Sequence, residues 1–136
     1  MSMTATLGPH LPYLRRYARA LTGSQVSGDA YVRASLEALL DGNAELAKDV
    51  PPRLALYRLF HVLWSSSGKY ESVAPGAARA GVESRLQALL PTNREALLLT
   101  AVEGFTIPEV AKILDWSEGD VEQAINAALK SIDRDL

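Results

Sequence analysis

The stretch Thr106-Ile-Pro-Glu-Val-Ala-Lys-Ile-Leu-Asp-Trp-Ser-Glu-Gly-Asp-Val-Glu-Gln-Ala-Ile-Asn-Ala-Ala-Leu-Lys130 opens two helices in quick succession. Thr106 with Glu109, and Ser117 with Asp120, each place an oxygen-bearing N-cap three residues ahead of a carboxylate, which is how a helix start is written in sequence. Between them Val110, Ala111, Ile113 and Leu114 give a short helix one apolar face, and Asp115-Trp116-Ser117 breaks it. Val121, Ile125, Leu129 and Ile132 then recur at i, i+4, i+8 and i+11, predicting a second helix with one buried stripe. Two short helices joined by a tight turn form a helix-turn-helix, whose second helix is the one available to a DNA major groove.

The charges contradict that use. From Ser117 to Leu136 the carboxylates are Glu118, Asp120, Glu122, Asp133 and Asp135, against Lys130 and Arg134 alone. DNA binding draws much of its free energy from counterions released when Lys and Arg neutralise phosphates. A carboxylate held ~5–8 Å from a phosphate is instead repelled by roughly 0.5–2 kcal/mol at intermediate dielectric, and Glu118, Asp120 and Glu122 crowd the first turns, where groove-reading helices make contact. These three acids also complement the positive end of the helix dipole. That accounts for acids being tolerated there, but not for the missing cations.

Working outward, 136 residues hold one medium domain or two small ones, and 48% hydrophobic with 22% charged residues is ordinary for a folded chain. With no cysteine, disulfides, thiolate metal sites and thiol nucleophiles are excluded. No basic leader precedes an apolar run, and no stretch reaches the ~18 apolar residues of a membrane span, so a cytoplasmic protein is expected. Net charge is −2, unevenly spread. Residues 1–68 carry seven cations and five anions, and residues 69–136 seven cations and eleven anions, so the helix-turn-helix lies in the acidic half.

Helical patterns continue through the rest of the chain. Pro9 to Leu21 lines up Leu11, Leu14, Ala18 and Leu21 with Arg15, Arg16 and Arg19 elsewhere, and Thr22-Gly23 stops it. Gly28 to Leu40 repeats the pattern through Val32, Leu36, Leu39 and Leu40. Pro51-Pro52 opens a third helix with Leu56, Leu59, Phe60 and Leu63 on one face and Tyr57, His61 and Trp64 on the adjoining one. Residues 65–81 are small and polar, the composition of a flexible connection. A short helix over Glu83 to Leu90 follows, then one opened by Pro91 with a Thr92-to-Glu95 capping box and stopped by Gly104. The expected fold is all-α: a three-helix cluster over 1–64, a flexible linker over 65–81, and a helix-turn-helix domain over 82–136.

At this point the residues resemble a known family. Leu89-Leu90-Pro91-Thr92-Asn93-Arg94-Glu95-Ala96-Leu97-Leu98-Leu99 and Glu103-Gly104-Phe105-Thr106-Ile107-Pro108-Glu109-Val110-Ala111-Lys112-Ile113-Leu114 look like region 4 of extracytoplasmic-function sigma factors, and the front half resembles their region 2. The resemblance is closer to the sigma-like domain of the alphaproteobacterial general-stress regulators of the PhyR family. Three blocks carry it in order: Pro9 to Gly23, Ala55 to Trp64, and Leu97 to Thr106. It implies an anti-anti-sigma factor, a sigma mimic that captures the anti-sigma factor NepR and so releases the stress sigma factor, with phosphorylation of a receiver domain in cis as the gate. No such receiver is present here, so constitutive binding is expected. A DNA-reading helix of the sigma type would place Lys or Arg near Glu122, Ala124 and Ala127, where this chain has none. Asp29-Ala30-Tyr31-Val32-Arg33-Ala34 stands in place of the acidic, Gln-containing polymerase-binding helix of sigma factors. The alternative is a genuine extracytoplasmic-function sigma factor or other DNA-binding regulator.

Candidate partner-binding residues are Tyr17, Tyr31, Tyr57, Trp64, Ile107, Val110, Ile113 and Trp116, and the DNA-excluding acids are Glu118, Asp120 and Glu122. Tyr31, Tyr57 and Trp64 fit either a core or a groove for an amphipathic partner helix, and Val110 and Ile113 fit either a docking site with Trp116 and Ile107 or packing against Leu97 and Ile125. Arg15, Arg16 and Arg19 fit a solvated helix face or a meeting with acidic groups. His10 and His61 lie far apart without clustered carboxylates, so no metal or other cofactor is expected. Ser65-Ser66-Ser67 lacks an orienting acid and an oxyanion feature, so no catalysis and no small-molecule substrate are expected. Nor is nucleic acid or a membrane expected as a partner.

Overall fold

The computed structural model describes residues 3–66 and 90–134, and every described element is helical. The first half comprises α1 (Met3–Leu7), a single 3-10 turn (Gly8–His10), α2 (Leu11–Thr22), α3 (Gln25–Leu40) and α4 (Pro52–Ser66). The second comprises α5 (Pro91–Ala101), α6 (Ile107–Leu114) and α7 (Glu118–Arg134). Most of the connection expected over 65–81 and the helix expected over Glu83 to Leu90 lie outside the described residues; Ser65 and Ser66 end α4.

Local chemistry sets the boundaries. Pro9 opens the 3-10 turn rather than α2, which ends on Gly23 at φ 74°. The helix expected from Gly28 starts earlier, because Ser24 caps it by accepting the Ser27 amide at 3.1 Å. The Thr106–Glu109 capping box forms in full, with Glu109 N–H on Thr106 Oγ1 and Thr106 N–H on Glu109 Oε1. Ser117 Oγ likewise accepts the Asp120 amide at 3.1 Å. The Thr92-to-Glu95 box does not form. Leu90 holds the N-cap position without a side-chain bond, and Glu95 is fully buried instead.

Helices α2 and α3 pack closely, α4 lies on α3 and α6, α5 lies on α2 and α7, and α6 packs on α7. One hydrophobic cluster runs through both halves, from Leu14, Tyr17, Leu21, Tyr57 and Phe60 to Leu98, Leu99, Phe105, Val110 and Ile113. Its centre is aromatic, with Tyr17 5.4 Å from Tyr57, Tyr17 5.8 Å from Phe60, and Tyr57 5.0 Å from Phe105 between ring centroids. Each such pair adds about 0.5–1.5 kcal/mol beyond the area it buries.

Two expected stripes shift at their ends. On α7 the buried residues are Val121, Ala124 and Ala128, while Leu129 is half exposed. Steps of four residues overshoot a full turn by about 40°, so the second step carries Leu129 away from the core side. Leu40, at the last turn of α3, is 75% exposed.

Candidate protein-interaction surface

The two halves are joined by the turn Glu103-Gly104-Phe105, which enters the first half between α2 and α4. Gly104 at φ 77° lets the backbone reverse there, a conformation that costs a Cβ-bearing residue. The buried Glu103 carboxylate accepts from Tyr57 Oη at 2.5 Å and from Arg16 Nη2 at 3.0 Å, and its carbonyl accepts from Arg53 Nη2 at 2.6 Å. The Arg53 guanidinium lies 4.0 Å above the Phe105 ring. Charge-assisted bonds to a buried carboxylate are strong, and leaving that carboxylate without them is costly.

A second polar contact lies nearby. His61 Nδ1 and Glu95 Oε2 are 2.6 Å apart, and Arg94 Nη1 donates to the Leu21 carbonyl at 2.5 Å. Glu95 Oε1 and the Tyr17 hydroxyl, both deeply buried, lack a well-formed hydrogen bond among the described residues. Burial pushes the Glu95 carboxyl above its ordinary range despite the opposing hydrogen bond from His61, and burial likewise raises the Tyr17 phenol. Tyr57 is raised by burial and by its bond to Glu103.

The candidate partner residues separate by depth. Tyr17, Tyr57, Trp64, Val110 and Ile113 are core, and in this arrangement they offer a partner no surface. Tyr31, Ile107 and Trp116 are half-buried at the edge of the same cluster, Tyr31 with its ring edge-on to Phe60 at 6.3 Å. The arginines divide too. Arg16 meets Glu103, Arg19 makes two bonds to Asp29 at 2.8 and 2.9 Å, and Arg15 is exposed. Arg19 holds the Asp29 carboxyl below its ordinary range.

Glu118, Asp120 and Glu122 are all exposed, and none of the three meets a cation among the described residues. Of the positions where a sigma-type reading helix would carry cations, Glu122 and Ala127 face outward, whereas Ala124 is buried at 6% exposure and belongs to the core. Beside them a cleft of about 370 Å³ is lined by Asn93, Trp116, Asp120, Gln123, Ala124 and Ala127. Asn93 and Gln123 escaped the sequence reading. Gln123 was within reach of it, being three residues beyond Asp120 on the same helix face. No described helix is long and apolar enough to cross a membrane, and among the described residues no cluster of His, Cys, Asp and Glu is placed to hold a metal ion.

A family model described as the Sigma2 domain of PhyR matches residues 7–61, and one described as the sigma-like domain of the response regulator PhyR matches residues 86–135. The sigma-like domain solved by NMR in the PhyR–NepR complex of Sphingomonas sp. Fr1 is 43% identical, over 98% of this chain and 88% of that one, with a TM-score of 0.78. The chain belongs to the PhyR family. The phyllosphere-induced regulator PhyR of Methylorubrum extorquens is 38% identical over the whole of this chain and 51% of its own length. PhyR of Bartonella quintana, crystallised with the anti-sigma factor NepR, superposes with a TM-score of 0.83 at 37% identity, over 99% of this chain and 51% of that one. The chain therefore spans about half the length of the Methylorubrum and Bartonella relatives.

Proposed function

We propose that this chain is an anti-anti-sigma module that binds a NepR-type anti-sigma factor and so releases the sigma factor which that protein restrains. The observation that carries this is the 43% identity, along 98% of the chain, to a PhyR sigma-like domain solved in complex with NepR. The physical chemistry agrees. One hydrophobic cluster runs through both sigma-like halves among the described residues, which suits a partner that contacts both. The helix a sigma factor would lay in the major groove exposes Glu118, Asp120 and Glu122 instead, which phosphates repel. Phosphorylation of a receiver domain as the gate rests on the family resemblance, and a cytoplasmic site of action on the sequence having no leader-like or membrane-spanning stretch. Of the candidate partner residues, Tyr31, Ile107 and Trp116, half-buried at the edge of the core, keep surface to offer. A genuine sigma factor is not favoured.

Calorimetry of the chain against Sphingomonas NepR, with a −35 promoter duplex as control, tests the function. The expected outcome is saturable 1:1 binding to NepR, with duplex binding no tighter than the roughly 10⁻⁴–10⁻⁶ M of non-specific contacts. Tight, sequence-dependent duplex binding that weakens steeply with salt, without NepR binding, would establish a DNA reader in its place.

A further inference from the structure

We infer that Glu103 is a positioning residue for the partner: from the interior it sets how the helix-turn-helix half stands against the first half, and so governs affinity for a protein that contacts both. This rests on the NepR-binding function above and adds a determinant that the partner cannot touch, since the Glu103 side chain has no exposed surface. Gly104 reverses the backbone at φ 77°, Phe105 enters the aromatic centre 5.0 Å from Tyr57, and Thr106 caps α6 directly afterwards. With only the buried Phe105 between Gly104 and that cap, a shift of the turn is passed on to α6 and α7.

The joint is keyed by buried charge. Arg94, Glu95 and Glu103 lie on α5 or in the turn after it, all three are buried, and each reaches across to the first half. Arg94 meets the Leu21 carbonyl, Glu95 meets His61, and Glu103 meets both Tyr57 of α4 and Arg16 of α2. The Glu103 carbonyl adds Arg53, from the first turn of α4. Cohesion alone does not call for such groups, because well-packed apolar side chains of similar volume commonly stabilise as well or better, and the best-attested use of buried charge is to select one arrangement over its alternatives. Apolar packing tolerates a small slide of one helix on another, whereas a carboxylate shared by a phenol and a guanidinium is satisfied at one placement. A selected placement has a use where one partner must meet both halves at once.

Two variants of the full chain test this. Glu103→Gln keeps the size of the side chain and removes its charge, and Tyr57→Phe removes one donor and keeps the ring. Both side chains are buried, so neither change alters a surface that NepR can reach. Calorimetry against Sphingomonas NepR should show affinity weakened by about three- to thirtyfold, the range for changes that act on binding without touching the ligand. Urea denaturation separates this from lost stability, because a chain still more than about 99% folded loses only about 1% of its apparent affinity that way. The chain has no cysteine, so Ala34→Cys on α3 and Lys112→Cys on α6, both exposed, take spin labels at those positions alone. The distance between the labels should spread in both variants and narrow again when NepR is added. Where Glu103→Gln does not fold, Tyr57→Phe decides alone. Parent-like affinity in the folded variants, or weakened affinity with parent-like label distances, would overturn the positioning role and leave NepR binding intact. Absence of NepR binding by the parent chain would overturn both.

Discussion

Glu95 has a carboxyl group with no access to water, one oxygen bonded to His61 and the other without a hydrogen bond among the described residues. Burial raises its pKa, with His61, Tyr17 and Arg94 the groups that couple to it. In the unfolded chain Glu95 releases its proton in the ordinary range, whereas the folded chain holds the proton to higher pH. The contribution to stability is therefore complete below the ordinary glutamate pKa and declines as pH rises through the raised one. Glu95→Gln removes that titration, so its urea midpoint should vary less than the parent's as pH rises above the ordinary glutamate range. Equal slopes in the two proteins would show that Glu95 titrates alike folded and unfolded. Nothing local marks this residue. Its sequence neighbours suit a capping box with Thr92, and the partner that withdraws it from that box lies 34 positions away. Thr106 and Glu109 were legible for the opposite reason, since each is the other's partner within one turn.

Among the elements, the α2–α3 pair depends most on a single position. A Cβ on Gly28 would lie 2.7 Å from the Arg19 backbone nitrogen and 2.8 Å from the Ala18 carbonyl carbon, and backbone does not yield as a side-chain tip does. Gly28→Ala should cost about 1–3 kcal/mol, the range of overpacking in a close contact, measured by chemical denaturation. On an exposed helix the same change would stabilise by about 0.5–1 kcal/mol, so a gain would mean that the two helices readily move apart. Sequence located this helix but read Gly28 as its start, whereas it begins at Gln25 and Gly28 is a contact within it. The short stripes on α2 and α6 were legible, as Leu14, Ala18, Leu21, Val110 and Ile113 are all buried. The long stripe on α7 was legible only as far as the drift of four-residue spacing allows.

In the whole molecule, the sequence suggested two small domains, and the described residues pack through one core. The reason lies in Arg16 and Glu103, 87 positions apart, with Tyr57 and Phe105 beside them; no local pattern announces a contact of that span. A shared core predicts shared unfolding. Trp64 belongs to α4 and Trp116 follows α6, so Trp116→Phe and Trp64→Phe each leave one half reporting. The two variants should show denaturation curves with the same shape and the same unfolding slope by fluorescence and circular dichroism. A fluorescence transition well separated from the circular dichroism transition in either variant would mean that the halves melt independently. The acidity of the second half was readable from composition, but that Asp120 borders a cleft required α5 to be seen against α7.

The Glu103-Gly104-Phe105 turn also bears on avidity. Two modules on a slack tether offer a bivalent ligand a second contact at an effective concentration on the order of millimolar, and orientation is lost each time it forms. Here the two halves already pack through one cluster among the described residues, so the second contact begins with part of its orientational entropy spent in folding. A ligand made of two modest helices then gains multiplicatively from reaching both halves, and a fragment carrying one helix loses far more than half of the binding free energy. Residue 103 would influence that gain from the interior, without touching the ligand.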